Sequence, residues 1–202
     1  MMTKYLTSKV KLVVPEFHAI PKVHKTPWTL RPIVPSHSWV TTATSEVIDH
    51  LLQPILKQFP WVVSSSKEVI QQIEAVRMTE SAPVWIMTGD VTSFYTNIPP
   101  SDCAKVVAGA WKLYRHESSI SHSTIRKMVS FVMENNFFGY RGQTFRQITG
   151  LAMGTSCAPT IASLYAGYDE RKARVVHQEG VLLYVRYIDD VLCLFQGTQK
   201  EC

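Results

Sequence analysis

Three carboxylates stand where apolar strands should end. Asp90 closes the run Val84-Trp85-Ile86-Met87, and Asp189-Asp190 separate Val181–Val185 from Val191–Phe195. Carboxylates set among apolar neighbours are costly to bury unless a cation neutralises them. If these runs are neighbouring strands of one sheet, Asp90 and Asp189 converge at its edge. They would then offer hard oxygen ligands to Mg²⁺, and a pair of such ions can clamp the attacking and leaving oxygens of phosphoryl transfer. Turn chemistry is the competing account, because Asp-Asp at a hairpin tip is ordinary.

The surroundings add to the first account. Tyr95 follows Asp90 by five residues, and Thr149–Pro159 is a small-residue loop holding Gly150 and Gly154 that opens a helix. Glycine permits close backbone approach to a ligand, and a helix N-terminus favours phosphate. A turn leading into a proline-started helix explains Pro159 equally well. Charge is uneven as well. Of 21 basic and 16 acidic residues, Lys4, Lys9, Lys11, Lys22, Lys25 and Arg31 fall in the first thirty-one positions against Glu16 alone, so the remainder is neutral and the formal +5 belongs to that stretch. Such a patch suits a polyanion: phosphate, nucleic acid or an acidic membrane.

The elements that must position these residues follow from periodicity. Pro15, Pro21, Pro27, Pro32 and Pro35 exclude helix from the first forty positions, and extended pieces such as Lys11–Val14 and Arg31–Val34 fit a small β lobe. From Thr44 a helical stripe runs through Val47, Ile48, Leu51, Leu52, Ile55, Leu56 and Phe59, with a kink or interruption expected near Pro54. Ser65-Ser66-Lys67-Glu68 reads as a capping box opening a helix whose Val69, Ile70, Ile73 and Val76 share a face. Val84–Met87 reads as a buried strand, two helices follow Pro99-Pro100, and Phe137–Tyr140 with Gln143–Ile148 reads as a hairpin. Thr160–Gln178 reads as a helix, and Val181–Tyr187 with Val191–Phe195 as a hairpin with acids at its turn. This mixed order argues an α+β fold.

Several classes are excluded. With 202 residues and 46% hydrophobic side chains the chain is neither disordered nor too small for a core. Cys103, Cys157, Cys193 and Cys202 form no CxxC pair, which argues against a zinc site or a disulfide framework, and Cys193 reads as a small core residue. No apolar stretch approaches a membrane span, and the N-terminus lacks the apolar segment of a secretory signal. An intracellular location without membrane contact is expected.

Taken in order, the motifs resemble a reverse transcriptase, with wording most similar to Penelope-like retroelements, relatives of telomerase reverse transcriptase. The resemblance runs from Ile20 to Phe195. It rests on Ile20-Pro21-Lys22 with Leu30-Arg31-Pro32-Ile33-Val34, on Asp90–Pro99, on Gln147–Pro159, and on Arg186-Tyr187-Ile188-Asp189-Asp190. It implies a right-hand polymerase palm, a sheet packed on helices, with a small β-rich fingers lobe: residues 1–80 mainly fingers, residues 81–202 mainly palm with inserted helices. It implies that Asp90, Asp189 and Asp190 are the catalytic acids and hold two Mg²⁺ ions (or Mn²⁺), with the backbone carbonyl of Val91 completing coordination. Lys22 and Arg31 would meet the nucleotide triphosphate, Tyr95 would lie under its sugar, and Gly154 would line the nascent base pair. Lys25, Thr155, Ser156 and Pro159 would face nucleic acid.

The partners so implied are an RNA template with a DNA primer and a deoxynucleoside triphosphate, and the location is nuclear or cytoplasmic. Trp28 and Trp39 could stack on a base, although core packing is the simpler expectation for each. Only twelve residues follow Asp190, too few for the thumb and GIY-YIG endonuclease that the resemblance would lead one to expect, so either a fragment of a longer protein or a truncated gene copy is expected. Two readings therefore stand beside each other: an RNA-directed DNA polymerase core, and a catalytically silent truncated remnant that binds nucleic acid weakly.

Overall fold

The apolar periods fold as helices and the apolar runs as strands. The computed structural model describes residues 12–23, 26–79, 82–173 and 175–198. In chain order the elements are β1 (His18–Lys22), β2 (Thr29–Ile33), α1 (Thr42–Leu56), α2 (Ser66–Ala75), β3 (Val84–Asp90), α3 (Pro100–Tyr114), α4 (His122–Glu134), β4 (Phe137–Tyr140), β5 (Gln143–Arg146), α5 (Ala158–Ala173), a short 3₁₀ turn at Val175–His177, β6 (Val181–Tyr187) and β7 (Asp190–Gln196). Among the described residues the named strands pair antiparallel and alternate with helices, a mixed architecture that agrees with the α+β expectation. The chain divides into two units. One runs to Ile55 and resumes over Tyr95–Ala162; the other holds Leu56–Phe94 and resumes at Ser163.

In the first unit, β1 and β2 form a two-stranded ribbon, and β4 and β5 a tight hairpin. Leu12–Val14, expected to be extended, is irregular, and β1 takes His18–Lys22 instead. The ribbon is open: Trp28 is 71% exposed, against the expectation of a core tryptophan. Trp39 is half-buried, donating from Nε1 to the Asn135 carbonyl at 2.7 Å and meeting Phe137 edge-on. Helix α1 buries Ile48, Leu52 and Ile55 and stays unbroken through Pro54. That proline lies within the last turn, where its missing N–H removes one bond without displacing the rest of the helix. Helices α3 and α4 pack together over Val107, Trp111, Ile125 and Val129, and the Trp111 indole donates to Ile120 across the connection.

The second unit is built on a three-stranded sheet ordered β3-β7-β6. Strand β3 is an edge strand with no fully buried residue, and Ile86 is 72% exposed, so the expectation of a strand buried on both faces is corrected. Among the described residues its ladder is to β7 alone. Helix α2 departs similarly. Ser65 accepts from the Glu68 amide at 3.3 Å, as a cap should, but the Glu68 carboxylate bonds the Ser64 amide and hydroxyl rather than returning to Ser65. Those bonds hold the Glu68 carboxyl below its ordinary range. None of the helix's apolar side chains is buried, and Ile70 and Ile73 are exposed. Among the described residues, no helix is long and apolar enough to cross a membrane.

Cys103, Cys157 and Cys193 are free and buried. Burial pushes the Cys103 thiol up to about 12, helped by the neighbouring Cys157, and burial pushes Cys157 up to about 11. Both folded values exceed the ~8.5 of an unfolded thiol, so this contribution to stability is complete below about pH 8.5 and is lost as pH rises through the folded values. Native protein at pH 8 is therefore expected to leave Cys103 and Cys157 unlabelled by a thiol reagent, with full labelling in urea. Rapid native labelling of either, read by peptide mass mapping, would show that the helical core opens.

Candidate active site

Antiparallel pairing of β3 with β7 brings acids from distant parts of the chain to one end of the sheet. The register places Asp90 opposite Asp190, and the Val91 amide donates to the Asp189 carbonyl at 2.9 Å. Strands β6 and β7 are joined by a two-residue turn, Ile188-Asp189, closed by the pair Tyr187↔Asp190. Asp189 is half-buried, whereas Asp90 and Asp190 are exposed. The acids thus sit at an open sheet end and escape the burial cost that sequence position suggested. No ion pair neutralises any of the three among the described residues. A hollow bounded by Ser66, Val69, Thr88, Gly89, Tyr187 and Asp190 opens beside them, with a volume of ≈ 350 Å³.

The turn is held by a buried cation. Residues two apart on a strand share a face, so Tyr184 and Arg186 of β6 point the same way. Residues seven apart on a helix also share a face, as do Ser163 and Glu170 of α5. The two faces meet. Arg186, fully buried, donates from Nε to Glu170 Oε1 at 2.5 Å, and from Nη2 to Glu170 Oε2 at 3.1 Å and the Ser163 carbonyl at 2.9 Å. Its Nη1 reaches the carbonyl of Ile188 at 2.8 Å. Glu170 also accepts from the Trp61 indole at 2.9 Å and from the Tyr184 hydroxyl at 2.8 Å. Burial, then that bond to Glu170, raises the Tyr184 phenol well above its ordinary range. Sequence reading took Arg186 only as part of a motif and passed over Glu170 and Trp61, because nothing in local spacing joins the three.

The remaining candidates lie in the first unit. Lys22 pairs with Thr29 and Ile20 with Arg31 across the β1–β2 ribbon, so Lys22 and Arg31 are diagonal neighbours on one face. Lys25, with His24, lies outside the described residues. The loop from Gly150 to Pro159 is fixed from two directions. Leu151 donates to the Tyr95 carbonyl at 2.8 Å, Val34 donates to Met153 at 2.8 Å, and Ser36 to Gly154 at 3.3 Å. On the other side, Ser45, Asp49 and Gln53 form an i, i+4, i+8 stripe along α1. Ser45 Oγ accepts from the Cys157 amide, Asp49 accepts from the Thr160 hydroxyl, and Gln53 donates to Thr160 at 2.9 Å. Sequence reading did not single out this stripe, although its four-residue spacing was visible. Gly154, Ser156 and Pro159 are exposed. Thr155, expected beside them on the nucleic-acid face, instead turns inward and is buried, its hydroxyl without a partner.

A family model described as reverse transcriptase (RNA-dependent DNA polymerase) matches residues 20–202. The chain belongs to the reverse transcriptase family. It is similar in fold to the apo telomerase of Candida tropicalis truncated from its C-terminal domain, at 17% identity and a TM-score of 0.66 over 99% of this chain and 48% of that one. A further structure of apo telomerase from the same organism gives 14% identity and a TM-score of 0.71 over 98% and 42%. Telomerase of Candida albicans in complex with a fragment of telomeric RNA gives 14% and 0.70 over 96% and 39%. The chain thus spans less than half the length of these telomerase chains. No curated protein matches it in sequence.

For a reverse transcriptase the acids' donor chemistry is apt: three carboxylates, all hard oxygen, none ion-paired to a basic side chain among the described residues. Their backbones are brought together, while among the described residues no three acidic, histidine or cysteine side chains already surround a common point. The loop is the more rigid part. Gly154 has φ +113°, and a Cβ there would overlap the Val34 carbonyl. Gly154→Ala is expected to cost about 1–3 kcal/mol, read as a shift of the urea midpoint, whereas exposed Ser156→Ala should stay within about 0.5 kcal/mol. Equal effects would show that the loop is free to adjust.

Proposed function

We propose that this chain is the catalytic core of an RNA-directed DNA polymerase of the Penelope-like retroelement kind, working on nucleic acid in the nucleus. It would add deoxynucleotides from their triphosphates to a primer 3′-hydroxyl on an RNA template. The observation that carries the reading is the register of β3 with β7, which sets Asp90 against Asp190 and ties Asp189 to Val91. Asp90, Asp189 and Asp190, with the Val91 carbonyl, would hold two Mg²⁺ or Mn²⁺ ions. Such ions neutralise charge on the attacking and leaving oxygens of phosphoryl transfer.

The chain's other residues have separable tasks. Lys22 and Arg31, adjacent on one ribbon face, bind the triphosphate and hold the negative charge that shifts onto departing pyrophosphate. Tyr95 packs against the sugar and excludes a 2′-hydroxyl. Gly154, Ser156 and Pro159 line the nascent pair and template, and Lys25 meets phosphate nearby. In this reading the ribbon and loop belong to the fingers and the template-facing palm, and the three-stranded sheet is the acidic centre of the palm.

Primer extension on an RNA template with Mg²⁺ or Mn²⁺ tests the reading. Wild-type protein should incorporate deoxynucleotides, Asp189→Asn should fall to background, and Tyr95→Ala should raise ribonucleotide use relative to deoxynucleotide by about tenfold, the worth of roughly 1–3 kcal/mol of lost discrimination. Folded wild-type protein that binds primer–template in a salt-dependent way yet incorporates nothing would make it a silent remnant instead.

A further inference from the structure

Ile188 occupies an unusual place. It is β-branched, lies immediately before Asp189 and has φ +57°. A two-residue hairpin with positive φ at its first central position normally takes glycine there. For a β-branched residue this backbone is an outlier, and such strain persists only where surrounding contacts over-determine it. Two bonds do so here. The Ile188 carbonyl accepts from Arg186 Nη1 at 2.8 Å, and the next carbonyl, that of Asp189, accepts from the Val91 amide at 2.9 Å.

Arg186 is suited to hold the turn because it has no freedom of its own. Its guanidinium is a planar fork of five donors. Glu170 engages it through both carboxylate oxygens, the Ser163 carbonyl takes another N–H, and the ring of Phe94 lies 5.8 Å from its centre. Its backbone is pinned too, the Arg186 amide donating to Trp61 and its carbonyl accepting from Val63. What remains to be directed is Nη1, and it points at the turn.

We propose that Arg186, oriented by Glu170, is a positioning residue that fixes the left-handed turn at Ile188 and thereby the place of Asp189 at the sheet end. The inference rests on the polymerase reading for the purpose of Asp189, but the geometry is testable without it. The readout is hydrogen exchange of the Val91, Asp189 and Asp190 amides in metal-free protein, since local opening of the turn releases the Val91 bond. Arg186→Lys keeps the charge and removes the fork, and should speed exchange at Val91 about tenfold or more, the worth of a hydrogen bond from a charged donor. Glu170→Gln should act in the same direction. Trp61→Phe removes a different donor to Glu170 and leaves the turn's own bonds in place, so it should leave these amides unchanged even where it lowers the melting temperature.

The second arm is Mn²⁺ binding followed by electron paramagnetic resonance. Wild-type protein should bind, Asp189→Asn should not, and Arg186→Lys should weaken binding about tenfold or more. Unchanged exchange in Arg186→Lys, or equal acceleration by Trp61→Phe, would overturn the positioning role and leave the polymerase reading intact. Absence of Mn²⁺ binding and primer extension in wild type would overturn the polymerase reading, and the exchange measurements would still decide the role of Arg186.

Discussion

A fully buried guanidinium is the constraint around which the second unit is arranged. Removing a charge from water costs several kcal/mol, and only a close counter-ion with complete hydrogen bonding offsets it. Arg186 meets that demand with Glu170, Ser163 and Ile188, which come from two pieces of local structure: one helix face and one hairpin turn. The segment at Trp61–Val63 supplies the backbone partners and the indole that completes Glu170. Satisfying one side chain therefore fixes helix α5, strand β6, the turn and the segment beside it. A hydrophobic residue of similar volume would fill the space with less desolvation cost, but it could not direct a donor at the Ile188 carbonyl. The ion pair gives direction, and the cost of burying it is tolerable for that reason.

The acids depend on this arrangement and on strand register. A slip of one residue between β3 and β7 would exchange the faces of all seven paired residues and move Asp190 away from Asp90. The buried residues of β7, Cys193, Leu194 and Phe195, oppose such a slip, because it would disturb their packing. Exposure of the acids follows from where the sheet ends. They stand at the open end of the ladder, where carboxylates can keep their contact with water. Sequence position alone suggested carboxylates buried among apolar strands, since alternation cannot show that a strand lies at a sheet edge.

The legible parts of the fold were those with local causes. The periods of α1, α3 and α4, the Pro99-Pro100 helix start and the two hairpins follow from spacing and turn residues, and the Asp90 and Asp189-Asp190 pairing follows from two apolar runs and the order of the motifs. The parts not legible have long-range causes. The capping residue Ser65 was visible, but the return bond of Glu68 to Ser64 was not. The apolar face of α2 was visible, but not that it would stay exposed. Trp28 and Trp39 look alike in sequence, and only tertiary contacts make one a solvent-facing ribbon residue and the other a half-buried, hydrogen-bonded one. The discontinuity of the two units was hidden for the same reason, since the chain leaves the first unit within a helix and re-enters it after β3.

The two left-handed positions nearest the candidate functional residues show how the difference arises. Gly154 is glycine because the Val34 carbonyl occupies the space a Cβ would need, so the sequence carries the constraint in the residue type itself. Ile188 faces no such exclusion. Its φ is also positive, at +57°, but it carries a branched side chain, and the stabilisation comes from an arginine two residues earlier whose own orientation is set by a glutamate on another element. A steric requirement must appear at the position that suffers it. A requirement for an outside hydrogen bond can be met elsewhere in the chain, and so it leaves at the strained position only a residue that looks out of place. An isoleucine at a hairpin position that favours glycine is such a residue, and the buried pair that holds it is found only once the strands and helix are assembled.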